Sequence, residues 1–222
     1  MAQLFPRGSN ALVGISIVLV LVLVGTGLTI LLNTNRLPYV TDVNVAKQQP
    51  VPFSHKHHVT GVGIDCRYCH TSVEESSFAN IPPVETCMTC HSQIWTESPL
   101  LEPIRESFRS GKPIEWVRIH DLPGFVYFNH SIHLYKGVGC QTCHGQVEQM
   151  PLMWKVNTLN MEWCLECHRA PEKFVRPREE VFNMNWKPVD AKGHPISQQV
   201  LGASLVQAYN IKTSTDCSTC HR

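Results

Sequence analysis

The sequence has nearly equal numbers of basic and acidic residues, and it has no cysteine outside a repeated pair. Its 222 residues carry 19 Lys and Arg against 18 Asp and Glu, a formal net charge of +1. This gives no basis for nucleic-acid binding by bulk charge, which needs a strongly basic surface. None of the ten cysteines lies outside a Cys-x-x-Cys pair. One kind of site therefore has to account for every thiol in the chain.

The segment from Ala11 to Leu32 lacks charge altogether. Its 22 residues are about what a helix needs to cross roughly 30 Å of hydrocarbon. A cleaved signal peptide has a shorter apolar core of about 7–15 residues, and the residues after Leu32 offer a poor cleavage site. A buried core helix would show a polar face, which this run does not have. The sequence predicts an uncleaved transmembrane signal anchor at 11–32, preceded by a cytoplasmic N-terminus at 1–10.

Each Cys-x-x-Cys pair is followed at once by histidine, which is typical of covalent haem c attachment. Two thiols three residues apart lie on one side of a helical turn and reach the two vinyl groups of one porphyrin. The next residue places its imidazole under the ring to bind the iron. The predicted attachment residues are Cys66, Cys69, Cys87, Cys90, Cys140, Cys143, Cys164, Cys167, Cys217 and Cys220, and the predicted proximal ligands are His70, His91, His144, His168 and His221.

Three other kinds of cysteine site fit the pattern less well. Zinc sites pair two Cys-x-x-Cys knuckles, so five knuckles leave one over and give the adjacent histidine no role. Disulfides suit an exported domain but do not explain five histidines either. Thioredoxin-like chemistry needs one reactive pair on a βαβ pattern, and no such pattern is visible. Five haem c groups are therefore the predicted cofactors.

Five haems on so short a chain determine the expected fold class, a multihaem cytochrome c. The porphyrins form the core, and short α-helices and long loops wrap around them with little β-structure. Haem c is attached outside the cytoplasm in bacteria, so the haem domain faces the periplasm or its equivalent. The predicted organisation is an extended tether at 33–52 and a pentahaem domain at 53–222. Two further short helices are predicted, one ending near Gly111 and an amphipathic one between Ile196 and Tyr209.

A tandem repeat explains four histidines outside the attachment motifs. The segment Phe53 to Cys66 resembles the segment Phe128 to Cys140, and each is followed by a second motif. We align Gly-Val-Gly at 61–63 with the same tripeptide at 137–139. The units are 53–91 and 128–168, and the fifth haem lies at 217–221. The predicted distal iron ligands are His55, His58, His130 and His133.

The fifth distal ligand has several candidates, and His120 is the preferred one. It lies among apolar residues just ahead of the second unit, and Asp121 could orient an imidazole nearby. Met161 is the alternative, although a methionine packed against a haem face is the simpler interpretation of that residue. His57 should point away from the haems, and His194, in a polar loop, should be solvated.

The anchor, the two histidine units and the stretches PIEWVRIHDLPGFVYFNHSIH and LNMEWCLECHR together resemble the membrane-anchored pentahaem cytochrome c subunit of alternative complex III. The resemblance implies an electron-transfer subunit in the inner membrane, single-pass, with no catalytic residue of its own. Its partners would be integral membrane quinol-binding subunits, a large iron–sulfur subunit and a monohaem cytochrome c. It would relay electrons from quinol to a soluble cytochrome c, a blue copper protein or a terminal oxidase.

Two other functions remain open from the sequence. One is a stand-alone membrane-anchored multihaem quinol dehydrogenase that feeds a periplasmic reductase, although its motifs would begin closer to the span. The other is a multihaem nitrite or hydroxylamine reductase. Such an enzyme needs an open or lysine-bound iron, and no Cys-x-x-Cys-Lys occurs here.

Overall fold

A long apolar helix, α1, occupies Ser9–Thr34. The computed structural model describes residues 5–6, 8–34 and 36–221, so part of the predicted cytoplasmic segment 1–10 lies outside the described residues. Within the described part, α1 is the one helix long and apolar enough to cross a membrane by length and composition. It contains the predicted span 11–32. A membrane anchor and a signal sequence are both compatible with these properties.

The chain divides into two compact units, Met1–Val43 and Asn44–Arg222. The second unit therefore begins inside the segment predicted as a tether, and Val51 is one of its buried core residues. The first unit ends with α2, Pro38–Thr41, so residues 33–52 are not extended throughout as predicted. Proline at the start of α2 suits a helix N-terminus, where its missing N–H costs nothing.

The unit Asn44–Arg222 consists of short helices joined by long loops, as predicted. Its β-pairing in the described residues is limited to three isolated bridges. The α-helices are α3 (Cys66–Cys69), α4 (Val84–His91), α5 (Glu102–Ser110), α6 (His130–Tyr135), α7 (Cys140–His144), α8 (Met161–Arg169), α9 (Gln198–Ala208) and α10 (Cys217–Cys220). A π-helix covers Lys56–Gly61, and 3₁₀ turns cover Pro99–Leu101, Val147–Gln149, Pro171–Lys173 and Arg178–Glu180.

The two helices predicted between the motifs are both present, as α5 and α9. Helix α5 ends at Gly111, whose φ of 70° is the left-handed conformation that glycine adopts most readily. Helix α9 packs on the 3₁₀ turn Pro171–Lys173, and Gly202 is its buried residue. The Gln198 side chain donates to the carbonyls of Glu172 and Val175 at 3.0 and 2.8 Å.

Gly202→Ala should destabilise the haem domain, because a Cβ at this position would collide with the backbone oxygen of Glu172. Overpacking of this kind costs about 1–3 kcal/mol. The matched control is Gly124→Ala, since a Cβ there would meet nothing within 4 Å. Thermal unfolding of the haem-loaded variants measures the difference. Equal melting temperatures for the two variants would show that α9 does not need this close approach.

The polypeptide buries few apolar side chains of its own. Nine buried hydrophobic residues occur in the described part of the chain, and three of them, Val51, Leu101 and Ile104, form one cluster against α4 and α5. Large apolar side chains near the histidine motifs are instead more than half exposed: Phe78, Ile94, Trp95, Phe125 and Tyr127. Such exposed apolar groups fit a large apolar ligand such as a porphyrin.

Candidate haem-binding sites

The two histidine turns have the same local geometry. In the first, the Phe53 ring lies edge-on to His55, with centroids 4.9 Å apart, and stacks on His58 at 4.4 Å. In the second, the Phe128 ring makes the same contacts at 4.8 and 4.5 Å with His130 and His133. A single aromatic ring therefore holds two imidazoles in different orientations, as ligands of two different irons require.

The register of the repeat differs from the predicted alignment of the two Gly-Val-Gly segments. Gly63 has φ of 80° and Gly137 has φ of 79°, and each lies three residues before the first cysteine of its motif. The carbonyl of His58 accepts from the N–H of the residue after Gly63, just as that of His133 accepts from the residue after Gly137. The equivalent of Gly137 is therefore Gly63, and matching it to Gly61 is wrong.

A π-helix accommodates the resulting extra residue. Gly63 follows His58 by five positions, whereas Gly137 follows His133 by four. The first turn is π-helical over Lys56–Gly61, while the second is the α-helix α6. Single-turn π segments are the usual way for a helix to absorb one inserted residue. Both turns consequently direct the chain into the next attachment motif in the same way.

Three of the predicted distal histidines face a motif histidine at nearly the same distance. The ring centroids of His58 and His91 are 6.3 Å apart. Those of His130 and His144 are also 6.3 Å apart, with planes tilted by only 10°. Each distal ring thus lies opposite the histidine that ends one attachment motif.

The third such pair is His133 and His168, whose centroids are 6.1 Å apart. A metal–imidazole bond is about 2 Å long, and a ring centre lies roughly 1.1 Å behind its nitrogen. Two imidazoles on opposite sides of one iron therefore have centroids about 6.2 Å apart. In the described residues no three His, Cys, Asp or Glu side chains form a metal-binding group. Paired donors suit a porphyrin iron, since the porphyrin supplies the other four nitrogens.

Hydrogen bonds to backbone carbonyls orient most of these imidazoles. In seven of them, Nδ1 lies 2.6–3.3 Å from a carbonyl oxygen, to which only an N–H can donate. The pairs are His58 with Ser54, His70 with Asn80, His91 with Ile94, His130 with Ser77, His133 with Asn129, His168 with Ser214 and His221 with Phe125. Such bonding places the proton on Nδ1 and leaves the Nε2 lone pair available to a metal.

The remaining distal candidate of the first unit, His55, lies beside His70. Burial, together with the neighbouring His70 and His58, lowers the pKa of His55 to about 4. Its Nδ1 is buried without a hydrogen-bond partner. Burial also lowers the pKa of His144 to about 3, and it lowers the pKa values of His58 and His133. Neutral imidazoles are the form that binds metal.

The thiols of the third motif are the most deeply placed. Burial raises the pKa of Cys140 to about 11 and that of Cys143 to about 12. Burial likewise raises the pKa of Cys167 to about 11. Cys217, in contrast, is exposed. The third motif therefore lies at the centre of the described haem domain, and the fifth lies near its surface.

His120 lies beside the third motif. Its ring centroid is 4.3 Å from that of His144, which is too short for an iron between the two rings. Its Nε2 is buried without a partner, and burial lowers its pKa to about 4. Asp121 does not orient an imidazole here, because it pairs with Arg118 at 3.1 Å.

The other candidates are more exposed. Met161 begins α8 and is 63% exposed, as are other large apolar side chains near the motifs. His57 stacks on Trp95 with centroids 5.6 Å apart. His194 is exposed, as expected, and lies 3.4 Å from the carboxylate of Asp190.

His120→Ala and Met161→Leu should differ in their effect on the haem spectrum. If His120 is the fifth distal ligand, its loss opens one of five irons, and about a fifth of the haem becomes high-spin. Met161→Leu keeps the size and apolarity of the side chain and should leave all five haems low-spin. Low-temperature EPR of the oxidised protein measures the high-spin fraction. The reverse outcome would assign the ligand to Met161.

The residues that sequence reasoning missed are those whose backbone holds the motif histidines. Asn80 accepts from His70, Ser77 from His130, and Ser214 from His168. Each acts through its carbonyl, so the type of side chain carries no signal in the sequence. The left-handed backbone at Asn80, with φ of 73°, is the one local hint, because asparagine tolerates that conformation well.

Comparisons with known proteins agree with this geometry. The model of the family described as cytochrome c7 and related cytochrome c matches residues 126–222. The model of the class III cytochrome C family matches residues 35–103. The boundary between the two matches falls between the tandem histidine units. The fold is that of a multihaem cytochrome c, a class that carries covalently bound haem c and transfers electrons.

A relative in Nitratidesulfovibrio vulgaris (strain Hildenborough) is named menaquinone reductase, multiheme cytochrome c subunit. It is 37% identical to this chain over 99 residues. The aligned stretch is 44% of this chain and 46% of that relative, so the match spans about half of each.

Proposed function

We propose that this chain is an electron-transfer subunit that carries five haem c groups and has no substrate chemistry of its own. The observation that carries the proposal is the spacing of three imidazole pairs at 6.1–6.3 Å, each joining a histidine turn to an attachment motif. Haem, when bound, supplies an iron that takes up and releases one electron at a time. The protein attaches the group through its thiols, closes both axial positions and shields the iron from water.

The ligand assignment follows the repeat. Each motif histidine is the proximal ligand of its own haem. Within each unit, the first histidine of the turn serves the first motif, so His55 faces His70 and His130 faces His144. The second serves the second motif, so His58 faces His91 and His133 faces His168. The fifth haem, at His221, takes its distal ligand from elsewhere, with His120 preferred and Met161 as the alternative.

Six-coordinate irons favour electron transfer over substrate reduction. A reductase needs a free or weakly bound axial position, and paired histidines close that position. The carbonyl bonds to Nδ1 increase the basicity of the imidazoles, which stabilises the oxidised iron and lowers its potential. A series of low-potential haems is suited to exchanging electrons with a quinone pool.

We place the chain in a membrane quinone oxidoreductase complex. The sequence resemblance favours the quinol-oxidising alternative complex III, with electrons passed on to a periplasmic cytochrome c, a blue copper protein or a terminal oxidase. The name of the relative favours a second candidate, in which electrons run towards menaquinone. The same haem chain serves either direction. A stand-alone multihaem quinol dehydrogenase remains the third candidate.

Copurification separates the complex from the stand-alone protein. A tagged chain is isolated from detergent-solubilised membranes of its own host, and the associated proteins are identified by mass spectrometry. We expect a large iron–sulfur protein and a polytopic membrane subunit at equal stoichiometry. The isolated complex is then mixed with a reduced or an oxidised menaquinone analogue, and the haem α-band shows which form exchanges electrons. A chain that purifies alone would contradict the complex.

We also propose that α1 anchors the haem domain on the extracytoplasmic side of the inner membrane. The support is its uncharged run and the compartment in which haem c is attached. Replacing residues 1–32 with a cleavable signal should release a soluble, haem-loaded domain into the periplasm. A wild-type protein processed after residue 32 would contradict the anchor.

A further inference from the structure

We infer that the five attachment motifs form one unbranched path in the order second, first, third, fourth, fifth. Spatial order then differs from chain order, because the first motif, not the second, joins the two tandem units. The inference rests on the proposed five-haem function and adds to it the route and its two ends. It is carried by contacts at each of the four junctions between successive motifs.

The second and first motifs lie side by side. The hydroxyl of Tyr68 is 3.0 Å from that of Thr89. Each of these residues occupies the second variable position of its Cys-x-x-Cys-His motif, one in α3 and the other in α4. The two attachment helices thus touch through equivalent positions.

The first and third motifs meet through a shared segment, 181–182. The guanidinium of Arg67, inside the first motif, lies 4.8 Å from the ring centre of Phe182. The N–H of Cys140, the first residue of the third motif, donates to the carbonyl of Val181 at 3.1 Å. Two adjacent residues of one loop therefore contact both motifs.

A second connection joins the same two motifs on the histidine side. The carbonyl of Ser77 accepts from both the backbone N–H and Nδ1 of His130, at 3.2 and 2.8 Å. Three residues later, the carbonyl of Asn80 accepts from Nδ1 of His70 at 2.7 Å. A proximal ligand of the first unit and a distal ligand of the second are thus held by one short segment.

The third and fourth motifs share the second histidine turn. His130 faces His144 of the third motif, and His133, one turn further along α6, faces His168 of the fourth. The side-chain amide of Asn157, between the two motifs, donates to the carbonyl of Cys143 at 3.3 Å. Because α6 carries both His130 and His133, the fourth motif lies next to the third.

The fourth and fifth motifs are joined by a hydrogen bond near the C-terminal end of the described chain. Nδ1 of His168 donates to the carbonyl of Ser214 at 2.9 Å, three residues before Cys217. The carbonyl of Cys220 accepts from the N–H of Tyr127 at 2.8 Å, just ahead of the second histidine turn. The fifth motif therefore lies beside the fourth motif and beside the start of the second histidine turn.

The ends of the path are therefore the second and fifth motifs. One electron taken up at one end is released at the other, and no bond or proton changes on the way. The partner proteins of the complex should approach these two ends. The first and third motifs are interior, and loss of either would divide the path.

A crystal structure of the full-length, haem-loaded chain in detergent tests the order, with irons located by anomalous scattering. We expect five iron peaks, with the iron of the first motif nearest to those of the second and third. The inference would be overturned if the irons of the second and third motifs were direct neighbours. It would also be overturned if the iron of the first motif were nearer to that of the fourth motif than to that of the third. Fewer than five covalently attached haems would instead contradict the proposed function.

Removal of the two ends provides a solution test. The variants are Cys87→Ala with Cys90→Ala, and Cys217→Ala with Cys220→Ala, in the full-length chain. In a redox titration resolved by NMR of the haem methyl groups, loss of the second haem should shift the midpoint of the first-motif haem most. Loss of the fifth should shift that of the fourth most. If the third-motif haem showed the largest shift in either variant, the motif removed in that variant would not be an end of the path.

Discussion

Replacing Cys140 and Cys143 together by alanine should unfold most of the haem domain, not merely remove a fifth of the absorbance. These thiols are the deepest of the ten. The third motif is linked to the first through Val181 and Phe182, and to the fourth through α6. The polypeptide buries too little apolar surface to offset its own ordering entropy without the haem. We expect a loss of more than about 5 kcal/mol, beyond that of a single core truncation. Limited proteolysis and thermal unfolding measure it.

The matched control is the same pair of changes in the fifth motif, Cys217→Ala with Cys220→Ala. Cys217 is exposed, whereas Cys140 and Cys143 are partly buried. This variant should lose one haem yet keep the protease resistance of residues 53–168. Equal resistance in the two variants would show that the third motif does not hold the domain together. A compact, resistant apoprotein would contradict the coupling of folding and haem attachment altogether.

His133→Ala should convert one haem of five from low-spin to high-spin. His133 is the partner of His168, and its Nδ1 bond to Asn129 directs Nε2 away from the backbone. Alanine leaves the iron of the fourth motif with one axial ligand, so about a fifth of the EPR signal should move to high-spin positions and the potential of that haem should rise. Carbon monoxide should then bind one reduced haem per chain, which the wild type should not allow.

His194→Ala serves as its control. His194 is exposed and contacts Asp190 in a surface turn, so its removal should leave spectrum, potentials and stability unchanged. The contrast distinguishes loss of a ligand from loss of any histidine. If His133→Ala remained fully low-spin and did not bind carbon monoxide, His133 would not be an axial ligand.

Local spacing accounts for what the sequence predicted well. The Cys-x-x-Cys-His motifs, the two histidine turns and helices α5 and α9 depend on residues within one or two helical turns of each other. Phe53 and Phe128 show why this works, since each orients its two histidines through contacts within five residues. The absence of strands from the described residues follows in the same way, because short helical motifs leave little chain for sheets.

Long-range contacts account for what the sequence could not predict. Ser77 holds His130 across 53 residues, and Ser214 holds His168 across 46. These bonds use backbone carbonyls, which every residue carries, so no residue type marks them. The neighbours of His120 are unpredictable for the same reason: its contact with His144 depends on how two loops meet. The sequence therefore predicts the local geometry of each motif and histidine turn, and leaves the contacts between motifs to the structure.

The one-residue difference between the π-helix Lys56–Gly61 and α6 has a consequence for how such chains diverge. After a duplication, an insertion between a ligand and its attachment motif would ordinarily rotate everything downstream. Here a wider backbone turn takes up the added residue, and both Phe–His distances in the two copies agree within 0.1 Å. Selection on such copies would then act on the placement of aromatic ring and imidazoles, while the number of intervening residues drifts.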